Sequence, residues 1–271
     1  MKLAFISDLH LDLNKKYPVL DMVVETAEEK KADVLVIAGD LSNDCDLTLK
    51  YVDELKSKFS GDVYFVAGKH DMFNIDGKYD STYYIYDKYM QHENSLMNKD
   101  VVLNEDWVLL GDMFWYDYSF GDRDKYTDEE FRIQFHEGMA WADYKYIDWQ
   151  NDDISISDIL VDRMEKRIQK YPDKNIIVVS HMVMNRDFVG YERYPNTDYF
   201  AAFVGSEKIG QLMEKYGVKI AVMGHVHLRR ESYSENTHYI CPCLNYYFEW
   251  DEKDGDTARK QIENTMKFVE I

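Results

Sequence analysis

Val63-Tyr64-Phe65-Val66-Ala67 runs directly into Gly68-Lys69-His70-Asp71. Five apolar residues in a row, β-branched and aromatic, predict a strand buried on both faces. The strand ends in a glycine followed by a cation, an imidazole and a carboxylate. Ionisable groups at the tip of a buried strand are costly unless they are used there. What else converges on that tip therefore decides the reading of the chain.

Two similar runs precede it. Leu3-Ala4-Phe5-Ile6 ends in Ser7-Asp8-Leu9-His10, and Val34-Leu35-Val36-Ile37-Ala38 ends in Gly39-Asp40-Leu41-Ser42-Asn43. Asp8 and His10 are two apart, which on an extended segment points both to one side. Residues 17–31 and 47–59 between the runs carry apolar side chains at helical spacing. Strand, helix, strand, helix, strand is the grammar of an α/β fold, whose ligands bind at strand C-termini.

Two more runs follow the same rule. Ile176-Ile177-Val178-Val179 ends in Ser180-His181, and residues 218–223 end in Gly224-His225-Val226-His227. Residues 206–216 predict a helix stopped by Gly217, and residues 237–250 and 267–271 predict closing strands. Between them, residues 74–153 are crowded with Tyr, Trp and Phe. Residues 101–103 and 107–110 predict a hairpin of sheet strands, and capping patterns predict helices over 127–142 and from Ser155 onward. The aromatic block is read either as a cap lining a cleft or as the core of a partly helical insertion at about 74–153 within a single domain of residues 1–271. His136, alone in that block, is read as structural.

The totals narrow the classes. The chain has 271 residues, 45% of them apolar, enough for a sizeable core. No apolar run approaches the length of a membrane span, and the N-terminal run is too short for a signal peptide. Three cysteines, Cys45, Cys241 and Cys243, make no disulfide framework, so the expectation is a reduced, cytoplasmic protein without membrane partners. The net charge of −19 disfavours non-specific binding to nucleic acid. It leaves room for a small phosphorylated or nucleotide-like substrate held by a locally positive site, to which Arg186, Arg193, Arg229 and Arg230 are candidates.

Five of the eight histidines thus follow a predicted strand, with Asp8, Asp40 and Asp71 beside them. A mixed imidazole and carboxylate set suits Mn, Fe, Zn or Ni, and one carboxylate can bridge two ions. Two ions can activate water and stabilise both oxygens of an in-line phosphoryl displacement.

Asp8-Leu9-His10, Gly39-Asp40 with Asn43, Gly68-Lys69-His70-Asp71, His181 and Gly224-His225-Val226-His227 resemble the five blocks of the calcineurin-like metallophosphoesterase superfamily, in order. The resemblance implies a four-layer αββα sandwich, two mixed sheets face to face with helices outside. It implies two divalent ions, Mn favoured, and hydrolysis of a phosphomonoester or phosphodiester by metal-activated water. Residue by residue, Asp8, His10 and His227 would hold one ion. Asp40 would bridge to a second held by His181 and His225. His70 would act over the phosphate with Asp71 orienting its ring, and Asn43 would support from outside. Residues 115–119 (Trp-Tyr-Asp-Tyr-Ser) are similar to an uncharacterised bacterial subgroup and imply no substrate.

Lys69 departs from the pattern, which has an asparagine ligand of the second ion there. A protonated lysine offers donors and no lone pair. Its ammonium would stand near the second position and hold phosphate, or it would shed its proton beside a dication, or its stem would swing out. Each implies a second site that is altered, weak or empty. The alternative function is a non-catalytic or weakly active binding or scaffold protein on the same fold. Oligomeric state is not legible.

Overall fold

A computed structural model describes residues 1–190 and 196–271. In chain order the elements are β1 (Lys2–Ile6), α1 (Val19–Glu29), β2 (Val34–Ala38), α2 (Cys45–Lys58) and β3 (Asp62–Val66). Then come α3 (Thr82–Gln91), β4 (Val101–Val102), β5 (Trp107–Gly111), α4 (Asp128–Arg132), β6 (Phe135–His136), β7 (Met139–Ala140), α5 (Asp143–Tyr146) and α6 (Asp153–Ile168). The remainder is β8 (Asn175–Val179), α7 (Thr197–Phe200), α8 (Glu207–Tyr216), β9 (Ile220–Val222), β10 (Arg229–Tyr233), β11 (His238–Pro242), α9 (Ala258–Thr265) and β12 (Lys267–Glu270).

Two large mixed sheets result, in the orders β12-β1-β2-β3 and β10-β11-β9-β8-β5-β4. β1, β2 and β3 run parallel, as do β5, β8, β9 and β11; β12, β10 and β4 pair antiparallel at the margins. β2 has neighbours on both sides and is buried at all five residues, as its unbroken apolar sequence requires. β3 is the sheet's edge, so Tyr64 is only half-buried, which corrects the expectation of burial on both faces. α1, α2 and α9 pack together and α6 packs on α8 and β5, each turning an apolar face inward. Ser7 ties the sheets to each other: its amide donates to Pro242 O at 3.0 Å, and Leu244 N donates to Ser7 O at 2.9 Å.

Local signals explain most element ends. The Asp44 carboxylate accepts from Leu47 N at 2.9 Å to open α2, and Gly217, left-handed at φ 60, closes α8. Three expectations are corrected. The helix anticipated over 127–142 ends at Arg132, because Gln134, Glu137 and Gly138 adopt left-handed φ of 51, 46 and 83 and turn the chain into the β6-β7 hairpin. The following helix starts earlier, its cap being Asp152, whose carboxylate accepts from Ser155 N at 3.1 Å. The strand anticipated over 237–250 stops at Pro242, and Asn245 at φ 73 turns the chain toward the strand tips. The aromatic block is also divided: β4 and β5 belong to the second sheet, and Trp115, Tyr116, Tyr118 and Phe131 are core. His136 stacks on Tyr199 at 4.6 Å, a structural role.

Arg167 on α6 is 6% exposed and crosses from helix to sheet. Its guanidinium donates to Asp100 Oδ1 at 2.7 Å, Gly111 O at 2.8 Å, Leu96 O at 2.9 Å and Lys99 O at 2.8 Å. Removing it leaves several buried carbonyls without their donor and takes from Asp100 the cation on its Oδ1, leaving Lys170 and Tyr171 on Oδ2. Arg167→Met is expected to lower the free energy of urea unfolding by about 3–5 kcal/mol. A change inside ±0.5 kcal/mol, the usual range of a surface substitution, would refute the staple.

Candidate metal centre

The parallel strands of both sheets deliver their C-terminal ends to one place. Asp8 and His10 follow β1, Asp40 follows β2, His70 follows β3, His181 follows β8, and His225 and His227 follow β9. Five of these seven residues leave their strands with left-handed backbones: Asp8 at φ 55, His10 at 41, Asp40 at 56, His225 at 74 and His227 at 52. Non-glycine residues in that region are strained, and such strain gathers at functional sites. Gly68 makes the close approach possible: a Cβ there would lie 2.3 Å from both Asp40 N and Asp40 Oδ1.

Three overlapping sets of ligand-type atoms form, each within 4.8 Å: Asp8, His10 and His227; His10, Asp40 and His70; Asp40, His181 and His225. Asp40 Oδ2 stands 3.2 Å from His181 Nε2, 3.9 Å from His10 Nε2 and 4.0 Å from His70 Nε2. Asp8 Oδ1 is 3.5 Å from His227 Nε2, and the two imidazole nitrogens of His10 and His227 face each other at 3.2 Å. Asp8, His10, Asp40 and His181 are buried.

Acceptors outside the cluster fix which ring nitrogen faces in. His181 Nδ1 lies 3.0 Å from Ala38 O, His227 Nδ1 2.6 Å from Glu249 Oε2, His70 Nδ1 2.6 Å from Asn43 Oδ1, and His225 Nε2 3.2 Å from Phe203 O. Each acceptor takes the ring N–H and assigns the tautomer, leaving the other nitrogen's lone pair for the cluster. Lone pairs aimed at carboxylate oxygens repel unless a proton or a cation lies between. His181 Nε2 is buried without a hydrogen-bond partner, as is His10 Nδ1. The donor set therefore fits divalent ions, with hydrogen-bonded supports that orient the imidazoles.

The electrostatics follow from burial and Asp40. Burial drives the His10 imidazole down to about 4, although Asp40 and Asp8 pull it upward. Burial, and after it the charge of Lys69, holds His225 well below the usual range; burial does the same to His70 against the attraction of Asp40. For His181 burial also acts downward, but Asp40 outweighs it and lifts the group to about 9. Asp40 itself is raised by burial and pulled further down by His181 and His70, ending well below the carboxylate range.

Asp71 has a role other than the one anticipated. Its carboxylate accepts from the amides of Gly68 at 2.7 Å, Asp40 at 2.8 Å, and Leu41 and Ser42 at 3.0 Å, and from Thr48 Oγ1 at 2.6 Å. It clamps the β2 and β3 tips together, while Asn43 orients the His70 ring. Asn43 is held in turn by its Nδ2 donating to Asp12 Oδ2 at 2.8 Å. Lys69 is 4% exposed, with Nζ 3.4 Å from Asp143 Oδ1 and 4.1 Å from the Trp141 ring centroid. The stem has not swung into solvent.

Among the described residues no arginine of the expected group faces the cluster. Arg186 bonds Glu207 and Ser119 O, Arg229 bonds Cys243 O and Leu244 O, and Arg230 bonds Asp187 O; Arg193 lies outside the described residues. Sequence reasoning missed Asp12, Glu249, Tyr246 (4.4 Å from the His10 ring), Trp141 and Asp143. Asp12 sits two residues beyond His10, which was a usable signal; the others fall in stretches that read only as aromatic or polar. Glu249→Gln is expected to weaken Mn²⁺ binding by about 10–100-fold in calorimetric titration. Unchanged affinity would mean that His227 needs no support from Glu249.

Comparison with known proteins agrees with this fold. The chain superposes on the crystal structure of phosphopantetheinyl hydrolase from Mycobacterium tuberculosis with a TM-score of 0.77 at 19% identity, covering 99% of this chain and 95% of that one. A dimetal phosphatase from Danio rerio gives 0.53 at 12% identity, covering 89% and 86%. No curated protein sequence matches the chain. The calcineurin-like phosphoesterase family model matches residues 1–229. With its two mixed sheets, its flanking helices and its shared cluster of imidazoles and carboxylates, the chain belongs to the calcineurin-like phosphoesterase family.

Proposed function

We propose that this metal-dependent phosphoesterase hydrolyses a small phosphomonoester or phosphodiester, with Asp8, His10 and His227 holding one divalent ion and Asp40, His181 and His225 a second. The observation that carries the reading is the overlap of the three ligand sets through His10 and Asp40. Ions bound there supply a Lewis acid to the phosphoryl oxygens and lower the pKa of water. The chain's own groups do the rest. Asn43 takes the Nδ1–H of His70, so Nε2 is the nitrogen that, once it has taken up a proton, would donate it to the departing ester oxygen. Asp71 keeps the Gly68 and Asp40 amides in place, and with them the backbone that presents His70 and the Asp40 carboxylate.

Lys69 alters the second position. Its ammonium, held beside Asp143 and Trp141, lines the same cleft as His70 and His225 and opposes a second dication by charge. A weakened second site with one firmly held ion is the expected resting composition, and Lys69 then offers its charge to a phosphate. The net charge of −19 supports a small ester over a long nucleic acid. Lys69 is also the one observation that favours a second reading, a binding protein with little turnover.

With Mn²⁺ and a screen of aryl phosphomonoesters and phosphodiesters, turnover of at least one class is expected; a phosphopantetheinyl diester belongs in the same screen. No turnover of any of them with metal bound would favour the binding-protein reading. His70→Ala is expected to lower kcat by about 10²–10⁴-fold while metal content is retained. Lys69→Asn is expected to raise the number of Mn²⁺ ions bound per chain in elemental analysis. If stoichiometry and rate are both unchanged, Lys69 does not govern the second position.

A further inference from the structure

The cluster opens into a cleft of about 400 Å³. Its inner end carries Lys69, His70, His225 and His227. The rest is walled by Met139, Trp141, Val189, Phe200, Val204 and Leu228. Among the described lining residues no charged side chain lies away from the inner end. The polar side chains that remain are Thr197, Tyr246 and the indole of Trp141. That indole already donates, from Nε1 to Asp143 Oδ2 at 2.9 Å. Trp141 is also fixed face to face against Phe203 at 5.4 Å and edge-on to His225 at 6.0 Å. The wall is thus preorganised.

A ribose or a nucleobase laid along this wall would lose its hydrogen bonds to water and find few partners among the described residues, which is unfavourable for each unmatched group. An alkyl or aryl group would lose nothing polar and would remove apolar wall from water. The geometry points to an ester whose non-phosphate portion is apolar, its phosphate at the Lys69 and histidine end and its hydrocarbon along Trp141, Phe200, Val204 and Leu228. This inference rests on the phosphoesterase reading only for where the phosphate sits. It narrows the small phosphorylated or nucleotide-like class to apolar esters and sets nucleotides aside.

Binding tests it without turnover. Mn²⁺-loaded protein titrated calorimetrically with n-alkyl phosphonates from ethyl to octyl should show Kd tightening by about fourfold per methylene, about 0.8 kcal/mol each, until the cleft is filled. The heat capacity of binding should grow more negative along the series. Leu228→Glu and, separately, Val204→Asp should flatten that dependence. Three results overturn the inference: Kd independent of chain length, no binding by any phosphonate, or adenosine 5′-phosphate binding more tightly than octyl phosphonate. Hydrolysis of aryl phosphates without chain-length dependence in binding would sink this inference and leave the phosphoesterase reading intact. Chain-length-dependent binding with no ester hydrolysed would do the reverse.

Discussion

The Asp40 carboxylate is the interaction on which the site depends. It is buried and lies within 4.0 Å of imidazole nitrogens from His10, His70 and His181. Its second oxygen accepts the amide of His70 at 2.8 Å, which secures the β3 tip to the β2 tip. A carboxylate taken out of water needs positive charge or donors around it. His181 and the amide of His70 supply part of that requirement and a cation between the strands would supply the rest. Lys69 contributes to the same field from the wall, which is why its charge acts on His225 and His70.

The backbone bears the cost of bringing these groups together. Strand tips from two sheets cannot converge if each continues in extended geometry, so Asp8, His10, Asp40, His225 and His227 turn through left-handed conformations. Asp and His tolerate that region better than β-branched residues do. The energy comes from the surrounding order: Asp71 fastens four amides, Ser7 joins the sheets, and the apolar strands leave no room for slippage. Strain of this kind persists only where neighbours over-determine the conformation.

Much of this was legible in the chain. Continuous apolar runs marked β2 and β8 almost to the residue, and the ionisable residues just beyond them marked the cluster, because parallel strands must end on one edge. What could not be read depends on side-chain direction or on local turns. The helix expected through residue 142 had a good N-terminal cap, yet Gly138 and the left-handed Gln134 and Glu137 broke it. The family resemblance pairs Asp71 with the His70 ring, whereas its carboxylate points back at the β2 tip. Glu249 and Asp143 come from segments whose sequences give no periodic signal, and only tertiary folding brings them to His227 and Lys69.

Ser7 and the strand tips have a consequence for the order in which the molecule matures. Asp8, His10, Asp40 and His70 come from the first sheet, and His181, His225 and His227 from the second, so two of the three ligand sets, Asp8-His10-His227 and Asp40-His181-His225, draw on both. Partners such as Asp8 and His227 are separated by most of the chain's length, and contacts of that range are slow to form because a long loop must close first. Neither sheet alone can present the Asp8 set or the set that joins Asp40 to His181. An ion held there reports that the two halves have docked in register, and its binding free energy adds directly to the stability of that docking. The centre is in this sense a clasp across the two sheets.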